Sequence, residues 1–418
     1  MPLAQLSATF FLQLVVILAT ARAAGTLAWR FLGQPRVVGE MLAGILLGPS
    51  VFGLAAPALQ SRVFPPETTP VLFVLAQLGV GLYMFLVGLG FDRMDFRANA
   101  RSAVAVSFAG IAAPFAGALL LTPLLLRDQG LFRPGVTAFE ATLFLGAAIA
   151  ITAFPMLARI IHERNLAGTA VGSIALSAGA IDDAIAWVLI AIVLASLGDG
   201  PATAWTAILA GANFAVLCVF LLPRLLAPLF ARSEIIEHQH IALTLVLFLL
   251  AAWGMDAAGI HAVFGGFLLG TAMPRGPVTD RIKNQLEPVT VVLLLPLFFT
   301  FSGLHTDLTG LASLDRVALA LGIVAASILA KGGACYAAAR LSGRPHRIAL
   351  GIAALMNARG LMELIVINIG LQRGLIGPEL FAILTLMAVI TTVMATPLFD
   401  WSQTTADRPN ARALQERG

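Results

Sequence analysis

Residues 177–191, "SAGAIDDAIAWVLIA", carry two adjacent carboxylates inside an apolar run from Leu166 to Leu197. An aspartate at the centre of a membrane-spanning helix costs about 2.5–3.5 kcal/mol on an insertion scale, so Asp182 and Asp183 together oppose insertion by about 5–7 kcal/mol. Carboxylates kept at that cost mark ion or proton pathways by default. Successive helical residues point about 100° apart. One aspartate can therefore meet a cation while the other faces an aqueous cavity. Lys331, in "ASILAKGGACYAAA", is the counter-charge, and it is one of only two lysines beside twenty-four arginines. Unlike arginine, a buried lysine can release its proton. A static ion pair joining two helices would need one aspartate only, and buried pairs stabilise little. The second carboxylate is what asks for a function.

Two more segments place polar groups where a helix should be apolar. "AAIAITAFPMLARI" (147–160) puts Pro155 inside a span, where it is expected to remove an i to i−4 hydrogen bond. "LMNARGLMELIVINIG" (355–370) puts Asn357, Arg359, Gly360 and Glu363 in mid-span, which predicts an unwound stretch. Such backbone is tolerated in a membrane only where protein or water surrounds it. The plainer readings are an ordinary kink at Pro155 and an i, i+4 Arg359–Glu363 pair near one interface.

The elements that must position these groups are helices in lipid. The chain has 418 residues, 59% hydrophobic and 11% charged, with a mean hydropathy of +0.92. Soluble domains average about 25% charged residues, and apolar runs of about 20 residues are long enough to cross a bilayer. Lipid satisfies no open strand edge, so every crossing segment is helical. Hydropathy and breaks place thirteen spans at 6–30, 36–54, 70–91, 100–126, 138–162, 166–197, 203–227, 238–255, 259–273, 287–304, 316–341, 347–372 and 378–400. With the N-terminus outside, the inner connections hold eighteen of the 26 Lys and Arg residues and the outer ones five. This bias supports an odd number of spans and a cytoplasmic C-terminus, and a multi-pass protein of the bacterial inner membrane is expected.

The remaining sequence features are quieter. "FFLQLVVILATARAAG" resembles a signal peptide's apolar region, but residues 1–9 carry no Lys or Arg, so an uncleaved first helix is expected. The net charge of +4 is spread singly between apolar runs, with no cluster to track a phosphate backbone, so nucleic acid is excluded as a partner. Cys218 and Cys335 lie in apolar stretches and imply no disulfide frame. Residues 401–418 read as a short polar cytoplasmic tail, and no nucleotide-binding fingerprint is present. No cofactor is implied.

The order of features along the chain adds a symmetry. Spans four to six run intact, broken, Asp-bearing, and spans eleven to thirteen run Lys-bearing, broken, intact. Their offset of seven makes the two triplets enter the membrane from opposite sides. That is an inverted repeat, with half-helix ends converging on an ion near mid-membrane.

"LGQPRVVGEMLAGILLGPSVFG" (32–53), "LGVGLYMFLVGLGFD" (78–92), the Asp-Asp segment, "LPLFFTFSGLHTDL" (295–308), "LAKGG" (329–333) and "MNARGLMELIVINIGLQRGLI" (356–376) together resemble the monovalent cation/proton antiporters. The resemblance is to their second branch, with bacterial sodium/proton and potassium/proton exchangers and plant cation/proton exchangers. It implies an all-α fold of thirteen transmembrane helices with two crossed broken helices. It also implies a dimerisation scaffold at 1–91 and 238–304, an ion-transport core at 100–197 and 316–400, and a linker helix at 203–227. On matching positions Asp183 would bind either the cation or a proton. Asp182 would pair with Lys331 and part from it when the cation arrives, and Thr152 would lie beside the site. Arg359 and Glu363 would offset half-helix dipoles. The implied partners are Na⁺ or K⁺, H⁺, membrane lipid and a second copy of the chain. Asp-Asp with Lys points to electrogenic exchange. The potassium-efflux members end in a cytosolic nucleotide-binding domain, whereas this sequence stops after its transmembrane part.

A sodium-coupled symporter of a small organic anion is the nearest rival, but it calls for polar sodium ligands rather than a lone Lys against two Asp. A channel would show a repeated filter or charged ring. An intramembrane aspartyl protease needs its two aspartates on separate helices, so no enzyme activity is expected. His261 reads as a hydrogen-bonded scaffold residue before a pH sensor. His238 and His240 beside Glu237 read as a solvated loop before a metal site. Glu40 could guard an inner funnel or act as an N-terminal helix acid.

Overall fold

The computed structural model describes residues 2–91, 93–128, 130–194, 201–230, 238–259, 261–306, 308, 311 and 313–404. Glu237, the tail beyond residue 404 and the loop arginine Arg232 lie outside these. Among the described residues nine helices are long and apolar enough to cross a membrane. The chain is an all-helical, multi-pass membrane protein. Its α-helices are α1 (Leu3–Leu32), α2 (Arg36–Leu47), α3 (Pro57–Val63), α4 (Thr69–Gly90), α5 (Arg93–Leu125), α6 (Ala138–Ala150), α7 (Phe154–Glu163), α8 (Ala170–Leu194) and α9 (Pro201–Val216). There follow α10 (Leu222–Phe230), α11 (His238–Ala257), α12 (Ala262–Ala272), α13 (Pro277–Val289), α14 (Leu295–Leu304), α15 (Leu314–Leu341), α16 (His346–Met356), α17 (Leu361–Gln372) and α18 (Pro378–Thr404).

One difference from the expected spans has a clear cause. Residues 277–286, read as a connection because they are polar, are helical, with Pro277 in the first turn and Asp280 near the positive end of the dipole. The span at 347–372 is two helices separated by residues 357–360, where the unwound stretch was expected.

The chain divides into two compact units. The first comprises Met1–Gly25, Glu40–Phe91 and Trp187–His305. Lipid supplies no hydrophobic drive between helices, so small residues that let backbones approach do the packing. A Cβ on Gly88 would collide with the Phe267 carbonyl, and one on Gly270 with that of Phe85, which seats α4 directly on α12. Gly44 of α2 and Gly303 of α14 meet backbone to backbone in the same way. Phe85, Phe248 and Leu269 fill the core between these contacts. His261 is the N-cap of α12, its Nδ1 accepting from the Val263 N–H at 3.3 Å. Glu40 is not in the first turn of α2, contrary to the helix-acid reading. It is buried, 3.7 Å from Arg22. His240 packs its ring against Phe230 at 5.9 Å.

The second unit comprises Thr26–Gly39, Asp92–Ala186 and Thr306–Gly418. It holds both broken segments. Away from the breaks, the connection after α5 is tied to the one before α18. Gly377 N–H donates to the Leu131 carbonyl at 2.7 Å, and Arg133 N–H to Leu375 at 3.1 Å. Arg316 at the start of α15 grips Asp128 with two N–H groups, the longer at 3.0 Å, and reaches Glu379 at 2.7 Å. The Arg316 hydrogen bond, foremost, holds Asp128 below its usual carboxylate range.

Two outcomes follow. Gly303→Val forces α2 and α14 apart and costs about 1–3 kcal/mol. Its melting temperature in detergent falls, whereas Gly254→Ala, where a Cβ meets nothing within 4 Å, does not fall. The Arg316–Asp128 contribution, coming from a depressed acid, is complete above Asp128's unfolded pKa of 3.8 and lost only as pH falls below it. Limited proteolysis of the 126–137 connection is therefore unchanged from neutral pH to about pH 5, but is higher in Arg316→Ala throughout that range.

Candidate functional site

The first break is Ile151-Thr152-Ala153, between α6 and α7. Pro155 is not inside a continuous helix, as the sequence had suggested. It is the second residue of α7 behind Ala153, the N-cap. There its missing N–H is one that no helix would have bonded. The second break runs from Asn357 to Gly360, between α16 and α17. The two unwound stretches meet. Ala153 N–H donates to the Ala358 carbonyl at 3.3 Å, and Thr152 Oγ1 reaches the Met356 carbonyl at 3.3 Å. Gly360 is extended, a conformation open to any residue. Its value is closeness, since a Cβ there would stand 3.0 Å from the Ala153 Cβ.

Breaking α6 frees the carbonyls of its last turn, which lipid cannot satisfy. Two buried cations take them. Arg359 donates to Ala148 at 3.0 Å and to Ile149 at 2.6 Å. Lys331 donates to Ala150. Both cations thereby sit at the negative end of the α6 dipole. Glu363, in the first turn of α17, faces the opposite, positive pole and lies 3.3 Å from Arg359. Ser327 accepts a further Arg359 N–H, and Thr392 donates to the Arg359 carbonyl. Arg359 and Glu363 are wholly buried inside the protein. Asn357 donates Nδ2 to Ala353 at 2.9 Å. It packs over Gly332, where a Cβ would stand 2.5 Å from that nitrogen.

The aspartate pair lies beside this junction, and its members are treated unequally. Asp182 Oδ2 accepts from Thr152 Oγ1 at 2.8 Å and from Lys331 Nζ at 3.1 Å. Its Oδ1 accepts from Ser107 Oγ at 2.6 Å. Asp183 is 4% exposed and makes no hydrogen bond or ion pair to a described residue. The structure therefore brings together Asp182, Asp183, Lys331 and Thr152 with Asn357, Arg359 and Gly360 of the second break and Glu363 in the first turn of α17. Ser107, Ser327 and Thr392 were not foreseen. A lone hydroxyl in an apolar helix is common, since it can bond its own backbone. The available signal was "SFAG" at 107–110, a hydroxyl and a glycine on one helix face.

The arrangement offers a buried cluster: one carboxylate with three donors, one with none among the described residues, an ammonium and two unwound backbones. Its oxygen atoms are hard ligands of the kind that suit an alkali cation or a proton.

Comparison with known proteins matches residues 15–401 to the family model described as "Sodium/hydrogen exchanger, transmembrane". The chain is 36% identical over 392 residues to the Na(+)/H(+) antiporter NhaS4 of Synechocystis, covering 92% of this chain and 95% of the relative. It is 36% identical over 403 residues to Cation/H(+) antiporter 17 of Arabidopsis thaliana, covering 95% of this chain and 48% of the relative. The chain thus spans about half the length of that plant protein. The structure of the sodium proton antiporter MjNhaP1 from Methanocaldococcus jannaschii superposes with a TM-score of 0.68 at 15% identity, over 96% of this chain and 99% of that one.

Removing one member of a buried pair leaves the other uncompensated, at about 3–5 kcal/mol. Glu363→Ala accordingly lowers the melting temperature of the detergent-solubilised protein sharply. Arg359→Met made in the Glu363→Ala background recovers part of that loss.

Proposed function

The chain belongs to the sodium/hydrogen exchanger family, and from the site's geometry we propose that it exchanges a monovalent cation, Na⁺ or K⁺, for protons by alternating access. The observation that carries this reading is the inequality of Asp182 and Asp183. A carboxylate engaged by Ser107, Thr152 and Lys331 is already committed. The adjacent carboxylate, buried and without donors among the described residues, can take either ion.

In this reading Asp183 is the shared seat. Desolvation and a like-charged neighbour let such a carboxylate hold a proton at working pH. A cation arriving at Asp183 draws Asp182 away from Lys331, and the ammonium releases its own proton. Two protons then move per cation, and the exchange is electrogenic, driven by about 2.3 kcal/mol per net charge per 100 mV. Thr152 and the two unwound stretches give the site its polar backbone, while Pro155, Arg359 and Glu363 keep the half-helices formed around it. Thirteen spans with the N-terminus outside fit the eighteen-to-five bias of basic residues. The unit that contains both breaks is the ion-carrying core. The other unit is the scaffold through which two copies pair in a bacterial inner membrane.

Proteoliposomes with an internal pH dye test the proposal with Na⁺, K⁺, Li⁺ and Rb⁺. Cation-driven proton movement is expected for at least one of them and falls by tenfold or more in Asp183→Asn, roughly the loss of one charge-assisted contact. Undiminished transport in that variant removes the site. Clamping the membrane potential at zero changes the rate if the exchange is electrogenic, and an unchanged rate overturns that part.

A further inference from the structure

The end of α7 away from the first break and the turn between α1 and α2 enclose a cavity of about 360 Å³, lined by Trp29, Arg36, Arg159, His162, Glu163 and Asn165. All six residues belong to the second unit, and none takes part in the ion site. The walls are tied down. Gly33 turns the chain with a φ of 62°, in the left-handed region that favours glycine. Its carbonyl accepts from Arg164 Nη2 at 2.5 Å. Arg164 also pairs with Asp400 of α18 at 3.0 Å, and Gln34 Nε2 donates to the Val393 carbonyl at 3.0 Å.

Inside the cavity the cations exceed their partners. Arg159 is 8% exposed and meets Glu163 through Nε at 2.7 Å. Its two Nη groups make no hydrogen bond or ion pair to a described residue. Arg36, the first residue of α2, is exposed, and its side chain makes none either. The first turn of α2 carries no acid, so the positive pole of that helix adds to the same field. Two guanidiniums thus face one carboxylate that is already engaged. A guanidinium's planar fork fits two oxygens of a phosphate. The rim is apolar. Trp29 is 48% exposed, and its ring with one N–H donor suits a membrane–water boundary. Phe31 and Leu32, at the end of the same helix, are 72% and 67% exposed. A free phosphate would make no use of them, whereas acyl chains would.

We propose that this cavity binds the phosphate of an anionic phospholipid. Arg36 and Arg159 hold its oxygens, Trp29 lies against the glycerol linkage, and the chains run along Phe31 and Leu32. In the orientation proposed above, this end faces the cytoplasmic leaflet, whose surface potential is negative. The lipid braces against the α1–α2 turn the half-helix that starts at the first break.

Thermal unfolding of the full chain in detergent, titrated separately with phosphatidylglycerol, phosphatidylcholine and inorganic phosphate, tests the proposal, because a ligand of the native state raises Tm with its concentration. Phosphatidylglycerol is expected to raise Tm, and the other two to leave it nearly unmoved. Arg36→Gln keeps the lipid-free Tm and weakens the apparent affinity for phosphatidylglycerol about tenfold, the loss of one charge-assisted contact. Arg159→Lys, which leaves Glu163 a cation but removes the fork, weakens it similarly. Should that variant not fold, Arg36→Gln decides alone. Arg101→Gln, an exposed arginine of α5 outside the cavity, keeps the parent's affinity. Parent-like affinity in Arg36→Gln, an equal loss in Arg101→Gln, or an equal shift with phosphatidylcholine overturns the proposal. The full shift with inorganic phosphate overturns the lipid as its source. The readout is binding and not transport, so each outcome stands apart from the role of Asp183.

Discussion

A helix that stops inside a membrane leaves carbonyls with no water to turn to, and most of the site follows from that. The end of α6 supplies three such oxygens at Ala148, Ile149 and Ala150. Hydroxyls or neighbouring amides could have met them. The chain uses an arginine and a lysine instead, and burying two cations then requires acids nearby. Glu363 answers Arg359 and Asp182 answers Lys331. The charges that look extravagant in the sequence form a closed electrostatic account, in which each compensates a backbone defect or another charge. Asp183 is the exception.

That exception divides labour between two identical side chains one residue apart. Helical geometry points them in different directions. Asp182 turns into the corner where α5, α15 and the first break provide donors, and Asp183 turns away from it. Identical chemistry thus gives a structural acid and an available one, with position alone as the cause. The corner depends on thin contacts, Gly110 against Cys335 and Gly332 under Asn357, where a single methyl group would push the lysine's helix back.

The parts legible in the sequence were those that violate the solvent. Charges in apolar runs are costly, so Asp182, Asp183, Lys331, Arg359 and Glu363 stood out without any structure. The second break was readable for the same reason. The first break was found but misplaced by a few residues, because proline marks either a kink or the start of a new helix, and Pro155 marks the start. Ser107 was invisible because a hydroxyl costs little in a helix, and only the tertiary fold shows where its proton goes. Residues 277–286 were misread in the opposite sense, since polarity was taken for a loop in a segment whose helix signals, Pro277 and Asp280, lie at its start. The resemblance of whole motifs to the antiporters supplied the roles that isolated residues could not.

Lys331 holds two oxygens at once, the Asp182 carboxylate and the peptide oxygen of Ala150. An ammonium that leaves such a berth does not leave it bare of ligands. It uncovers one formal charge and one neutral dipole. The last turn of α6 needs a cation for its own integrity, so parting Lys331 from Asp182 leaves that turn whole only while the ammonium keeps its hold on Ala150.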